Sequence, residues 1–157
     1  MGFQFRFERL LAYREEMEKR ALMDLARAER RRDHERKGLG MLRREVQFLG
    51  ERWEALKDKS TPMDDIRRLR NRWKAVQNDV NQQEAVVKEW ENRVEEARGR
   101  WVEARRAKKV LMLLKEKALG RYLAAMNKAE TEHLDEVSLR LYSDNVLPKA
   151  LSRGGEG

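Results

Sequence analysis

Cysteine is missing from all 157 residues, which excludes disulfides and thiolate metal sites and agrees with a reducing compartment such as the cytoplasm. Proline occurs only twice and glycine nine times, so signals for turns are sparse. Gly38, Gly40, Gly50, Gly99 and Gly120 stand singly in helix-forming sequence and build no phosphate-cradling loop. Long apolar runs are also lacking. The longest, Val110 to Leu114, falls far short of the roughly 20 residues that span a bilayer. The opening Phe3, Phe5 and Phe7 are interrupted by charge, so neither a signal peptide nor a transmembrane helix is expected.

Histidine is scarce as well. His34 and His133 each sit among charged neighbours without a second His or a Cys at helical spacing, and so no metal site is expected. Nor do the residues assemble a nucleophile with a base and an orienting group. The expectation is a chain that is not an enzyme, with no catalytic residues, no cofactor and no small-molecule substrate.

Charged residues make up 41% of the chain and hydrophobic ones 40%, with a mean hydropathy of -0.93, too little apolar material for a thick globular core. Disorder would follow from such a balance if the apolar residues were scattered, but they are periodic. Steps of four and three from Phe7 give Leu11, Arg14, Glu18, Ala21, Leu25, Ala28, Arg32, Glu35, Leu39, Leu42, Val46, Leu49, Trp53 and Leu56. All are apolar except Arg14, Glu18, Arg32 and Glu35. A register held this long marks a left-handed coiled-coil seam. It stops at 57–62, where Thr61 is placed to cap a new helix, Pro62 suits its first turn, and Asp64 and Asp65 complement the dipole. A second seam follows through Ile66, Leu69, Trp73, Val76, Val80, Gln83, Val87, Trp90, Val94, Ala97, Trp101, Ala104, Lys108, Leu111, Lys115, Ala118, Tyr122, Ala125 and Ala129.

Each helix has a stripe that it cannot leave in water, and the nearest partner is attached to it. The spacing therefore predicts an all-α fold, a long two-helix antiparallel coiled-coil hairpin forming one domain over 1–147. Helix one is expected at about 3–57, the turn at about 58–62, helix two at about 63–144 and a disordered tail at 148–157. The bend would set Leu49 against Trp73, Val46 against Val76, Leu42 against Val80, Leu25 against Ala97 and Ala21 against Trp101. Arg14 would face Lys108, with Glu18 just above, and the like charges should loosen the open end. Leu123, Met126, Leu134, Val137 and Leu141 outlast the first seam and either project past the N-terminus or pack beside the Phe cluster.

The carboxylates stand in ordinary helix-surface pairs, among them Glu16 with Arg20 and Glu89 with Arg93. Trp53, Trp73, Trp90 and Trp101 occupy seam positions, as core or, because two helices cannot enclose an indole, as recognition residues. Arg32 is expected to stack on Trp90. The net charge of +8 attracts acidic surfaces, and Arg27, Arg30, Arg31, Arg32, Arg36 and Lys37 form one basic stretch, Arg67, Arg68, Arg70 and Arg72 another. Asp33, Glu35 and the paired glutamates dilute that field. A basic coiled coil binding nucleic acid is accordingly the alternative, disfavoured reading, and steep salt dependence would be its sign.

Phe3-x-Phe5-x-Phe7-x-x-Leu10-Leu11-x-x-Arg14-Glu15, the basic, Ala-rich first helix, Trp90-x-x-x-Val94 with Trp101, and Leu134-Asp135-Glu136 together resemble the FliJ family of flagellar type III export proteins over nearly the whole chain. The resemblance implies a coiled coil similar to the central stalk of rotary ATPases, cytoplasmic and peripherally associated with the inner membrane at the flagellar base. Its implied partners are the export ATPase FliI, whose hexamer receives the terminal ends, the cytoplasmic part of the export gate protein FlhA, and unloaded export chaperones. Carried over by position, ATPase binding would fall to Phe3, Phe7, Leu11 and Arg14 with Leu134, Asp135 and Glu136. Gate binding would lie near Leu42, Leu49, Val76, Val80 and Gln83, although this chain lacks the tyrosines and histidine that the family has at some of those positions. The equivalent stalk of an injectisome is a related reading with the same hairpin.

Overall fold

The alternation of Phe3, Phe5 and Phe7 with polar residues has a period of two, which suits extended backbone better than helix. In a computed structural model describing the backbone of residues 2–56 and 60–153 and side chains as far as 146, residues 2–5 are indeed irregular and a turn at 6–7 leads into α1, Glu8–Leu56. The amide of Glu8 donates to the Phe5 carbonyl at 3.2 Å and that of Leu11 to the Phe7 carbonyl at 2.8 Å. Helix one therefore starts at residue 8 and not near 3.

The second helix, α2, runs Met63–Arg153. Its first bond joins the Ile66 amide to the Pro62 carbonyl at 3.3 Å, which puts Pro62 in the capping position and Thr61 one residue ahead of the cap. Asp64 and Asp65 occupy the first turn as expected. Of the expected turn, residues 57–59 lie outside the described residues. The tail differs from expectation: α2 continues past residue 144 and includes 148–153, whereas 154–157 are outside the described residues. No strand occurs among the described residues.

Where one hairpin domain was expected over 1–147, contacts divide the chain into two compact units. One comprises Ala12–Lys108, the other Met1–Leu11 together with Lys109–Gly157.

In the first unit the two helices pack as an antiparallel hairpin. Lys108 pairs with Glu18, Arg98 with Glu29, Arg36 with Glu91, Arg43 with Glu84, and Arg72 with Glu45, so the numbers fall along α2 as they rise along α1. The buried residues here are Leu25, Leu39, Leu49, Val76, Val87, Val94 and Ala97, and every one lies on an expected seam position. Leu25, Val94 and Ala97 form the central cluster with Ala28 and Trp101 against it, which realises the expected pairing of Leu25 with Ala97. Trp53 and Trp73 meet near the bend with ring centroids 6.2 Å apart. Among the described residues the buried indole N–H groups of Trp73 and Trp101 find no acceptor, because an aliphatic seam offers none.

The polar seam positions are matched to one another. The Lys108 and Glu18 side chains, 26% and 17% exposed, form an ion pair inside the seam, while Arg14 lies against the Tyr13 ring at 5.8 Å. The expected repulsion between Arg14 and Lys108 is thus overturned by Glu18, one turn along α1 and within reach of the long lysine chain. Farther along, Gln83 donates to the Glu35 carboxylate at 2.6 Å and to its backbone carbonyl at 3.0 Å, and Arg31 pairs with the same carboxylate at 2.9 Å. A Cβ at Gly38 would stand 3.5 Å from the Gln83 amide nitrogen, so α1 comes close here. Such a part-buried polar layer costs stability but favours one register. Gln83→Ala is expected to lower stability by about 1–2 kcal/mol, through loss of its two bonds to Glu35, whose carboxylate then keeps only Arg31. Glu35→Leu combined with Gln83→Leu should instead raise it while admitting other registers, a contrast that urea unfolding and hydrodynamic size will read.

The second unit buries Leu11 and Leu111. Phe3 packs on Tyr122 with centroids 5.5 Å apart, and Lys115 binds Glu8 at 2.9 Å. From residue 123 to 146 every side chain is exposed.

Candidate docking surfaces

The residues singled out from the sequence divide sharply by burial. Near the bend, Leu49 is 7% exposed and Val76 is fully buried, whereas Leu42, Val80 and Gln83 are half-buried in the seam. None of these presents a free apolar face. Two residues that the sequence reading passed over do: Met41 and Phe48, at 66% and 58% exposure, lie seven apart on the outside of α1. Their signal was available as large apolar residues off the seam in a helix that otherwise confines them to it.

At the middle of the hairpin two guanidinium groups lie over the Trp90 ring, Arg93 at 4.5 Å and Arg31 at 5.7 Å from its centroid. Arg32, the expected partner, pairs with Asp33 at 3.1 Å instead. The seam position of residue 32 points its chain between the helices, while residue 31 projects beside the ring. A shallow groove of about 490 Å³ follows, lined by Trp90, Ala28 and Ala97 and bracketed by Arg27, Arg31, Arg93 and Arg100 with Asp24 and Glu96. Much of the basic stretch is neutralised: Arg31 by Glu35, Arg32 by Asp33, Arg36 by Glu91 and, at 3.9 Å, Arg27 by Asp24. Near the bend Arg72 is held by Glu45 at 2.5 Å. Paired arginines weaken the field that a nucleic-acid backbone would need.

In the terminal unit Leu11 is 4% exposed and serves packing, but Phe7 is 41% exposed, with Phe5 edge-on to it at 5.9 Å and Arg6 at 5.5 Å from its ring. Phe3 is half-buried against Tyr122, so the aromatic group is part cap and part open surface. Arg14 belongs to the other unit. Leu134 is 58% exposed, and Asp135 and Glu136 are exposed too. They lie twelve residues beyond Tyr122 on α2, about 18 Å at 1.5 Å per residue, so the N-terminal and C-terminal sets are not brought together. His34 and His133 are exposed, and no group of three potential metal ligands occurs among the described residues. No described helix is long and apolar enough to cross a membrane.

Against protein-family models, the flagellar FliJ protein family matches residues 3–146. The chain belongs to the FliJ family. Membership makes it a component related to flagellar protein export. The Phe-rich start, the two seams and the late Leu134-Asp135-Glu136 all fall within the matched range. Comparisons with curated proteins and with solved structures return no match.

Proposed function

We propose that this chain is a non-enzymatic stalk of the flagellar type III export apparatus. In this reading it enters the ring of the export ATPase, promotes its assembly or turnover, and links it to the export gate and to export chaperones from the cytoplasmic face of the inner membrane. FliJ family membership supports it, and one structural observation carries it: the terminal unit leaves Phe7 and Leu134 uncovered while the hairpin unit buries the apolar residues of its seam. A ring would act on such a stalk by shape and charge, its subunits covering exposed apolar side chains that water now surrounds. Asp135 and Glu136 would take cationic partners there. The gate contact would use Met41 and Phe48, next to the seam residues Leu42 and Leu49.

The test is ATP hydrolysis by the cognate export ATPase at a concentration where its ring forms poorly. The native chain should stimulate it, and Phe7→Ala and Leu134→Ala should each cut stimulation at least fivefold with helix content unchanged, since both side chains are exposed. No stimulation by the folded native chain overturns the stalk reading. For the gate, Met41→Ala together with Phe48→Ala should weaken binding to the cytoplasmic part of the gate protein by about tenfold, or about 1.4 kcal/mol, measured by calorimetry.

A further inference from the structure

The bare segment of α2 carries a pattern that the hairpin does not use. Leu119, Leu123, Met126, Leu134, Val137 and Leu141 are all exposed, and with Glu130 between them they advance by steps of four, three, four, four, three and four. Those steps keep all seven in one narrow strip of a helix. The strip repeats after eleven residues, at Leu119, Glu130 and Leu141, and so winds gently right-handed where the heptad seam winds left-handed. Past Tyr122 the chain has moved its apolar positions one residue on from the old seam, from Tyr122 to Leu123 and from Ala125 to Met126.

This strip reads alike in both directions. Leu119 and Leu141, Leu123 and Val137, and Met126 and Leu134 stand at equal distances on either side of Glu130. A second copy laid antiparallel across it, with the two-fold axis at Glu130, meets an apolar side chain at each of those levels, as an isologous interface requires. Charge selects the same direction. Residues 114–129 contain Lys115, Lys117, Arg121 and Lys128 against Glu116, whereas the mirror positions 131–146 contain Glu132, Asp135, Glu136 and Asp144 against Arg140. Antiparallel pairing lays the basic half of each copy along the acidic half of the other, and parallel pairing would lay like on like. Gly120, Ala129 and Ser138 flank the strip and permit close approach.

We propose that this face of α2 pairs with the same face of a second copy of the chain, antiparallel about an axis through Glu130. Glu130 then faces its own counterpart, the single like-charged contact of the strip. The pairing does not depend on the export reading, but it covers Leu134, so a paired chain withholds that residue from any other partner.

Sedimentation equilibrium of the full chain should give a reversible dimer. Met126→Asp with Leu134→Asp should raise its dissociation constant at least 100-fold, and Glu130→Leu, which completes the strip, should lower it at least tenfold. The absence of native cysteine makes direction measurable by disulfide formation under mild oxidation. Glu130→Cys alone should cross-link. Met126→Cys alone and Leu134→Cys alone should not, because eight residues at 1.5 Å set the like positions about 12 Å apart, beyond disulfide reach. Mixing those two variants should restore the cross-link. A monomer at all concentrations with full helix content, or cross-links in Met126→Cys alone and Leu134→Cys alone, overturns the proposal.

Discussion

Val94→Asp is expected to unfold the middle of the hairpin, with a loss of about 3–5 kcal/mol against a total that for most domains is only about 5–15 kcal/mol. Val94 is 1% exposed and belongs with Leu25 and Ala97 to the central apolar cluster, against which Ala28 and Trp101 pack. A carboxylate there has no cation in the cluster to pair with and no room to reach water without parting the helices. Val94→Ala separates the two effects: it removes packing without adding charge and should cost about 2 kcal/mol. Thermal unfolding followed by circular dichroism reads both. If the aspartate variant melts within a degree or two of the native chain, the seam described above is not what holds α1 to α2.

The second large effect concerns the ion pair inside the seam. Lys108→Glu sets two half-buried carboxylates side by side and should destabilise the hairpin by about 1–3 kcal/mol, while Lys108→Glu combined with Glu18→Lys should recover most of it. Reversal of Arg106, whose pair with Glu103 is 72% and 73% exposed, supplies the control and should change stability by less than about 0.5 kcal/mol. The sign of the Lys108 result also decides between two arrangements. Had Lys108 faced Arg14 without Glu18, reversal would relieve repulsion and stabilise the chain.

Periodicity was sufficient for the backbone of this fold because a heptad seam is a property of spacing alone. Leu25, Leu39, Val87, Val94 and Ala97 could be placed at the interface from their numbers, and their burial follows. Spacing says less about where a long side chain ends. Lys108 could reach either Arg14 or Glu18 across one turn of α1, and Arg31 rather than Arg32 flanks Trp90, because four or five rotatable bonds decouple a charged head from its Cα position. The helix starts at residue 8 and not near 3 for another reason: the period of two at Phe3, Phe5 and Phe7 suits extended chain. For the candidate sites, sequence identified the terminal residues but could not say that Leu11, Leu49 and Val76 are buried and Met41 and Phe48 exposed. A resemblance carries positions across, and burial then decides which side chains have a free face.

The thinness of the seam bears on how the hairpin unit loses its structure. A globular core ties each residue to neighbours from several elements, so that one lost side chain is felt throughout. Here each level of the seam touches only the levels just before and after it, and the unit resembles a row of couplings more than a block. Damage should then stay local. Amide exchange should rise near a substituted level and remain slow beyond the next intact cluster, and probes at Trp53 and Trp101 need not report one common transition. The Glu35–Gln83 and Glu18–Lys108 layers would act as firebreaks in such a row, places where an opening that has begun on one side meets a step it must cross before it can go on.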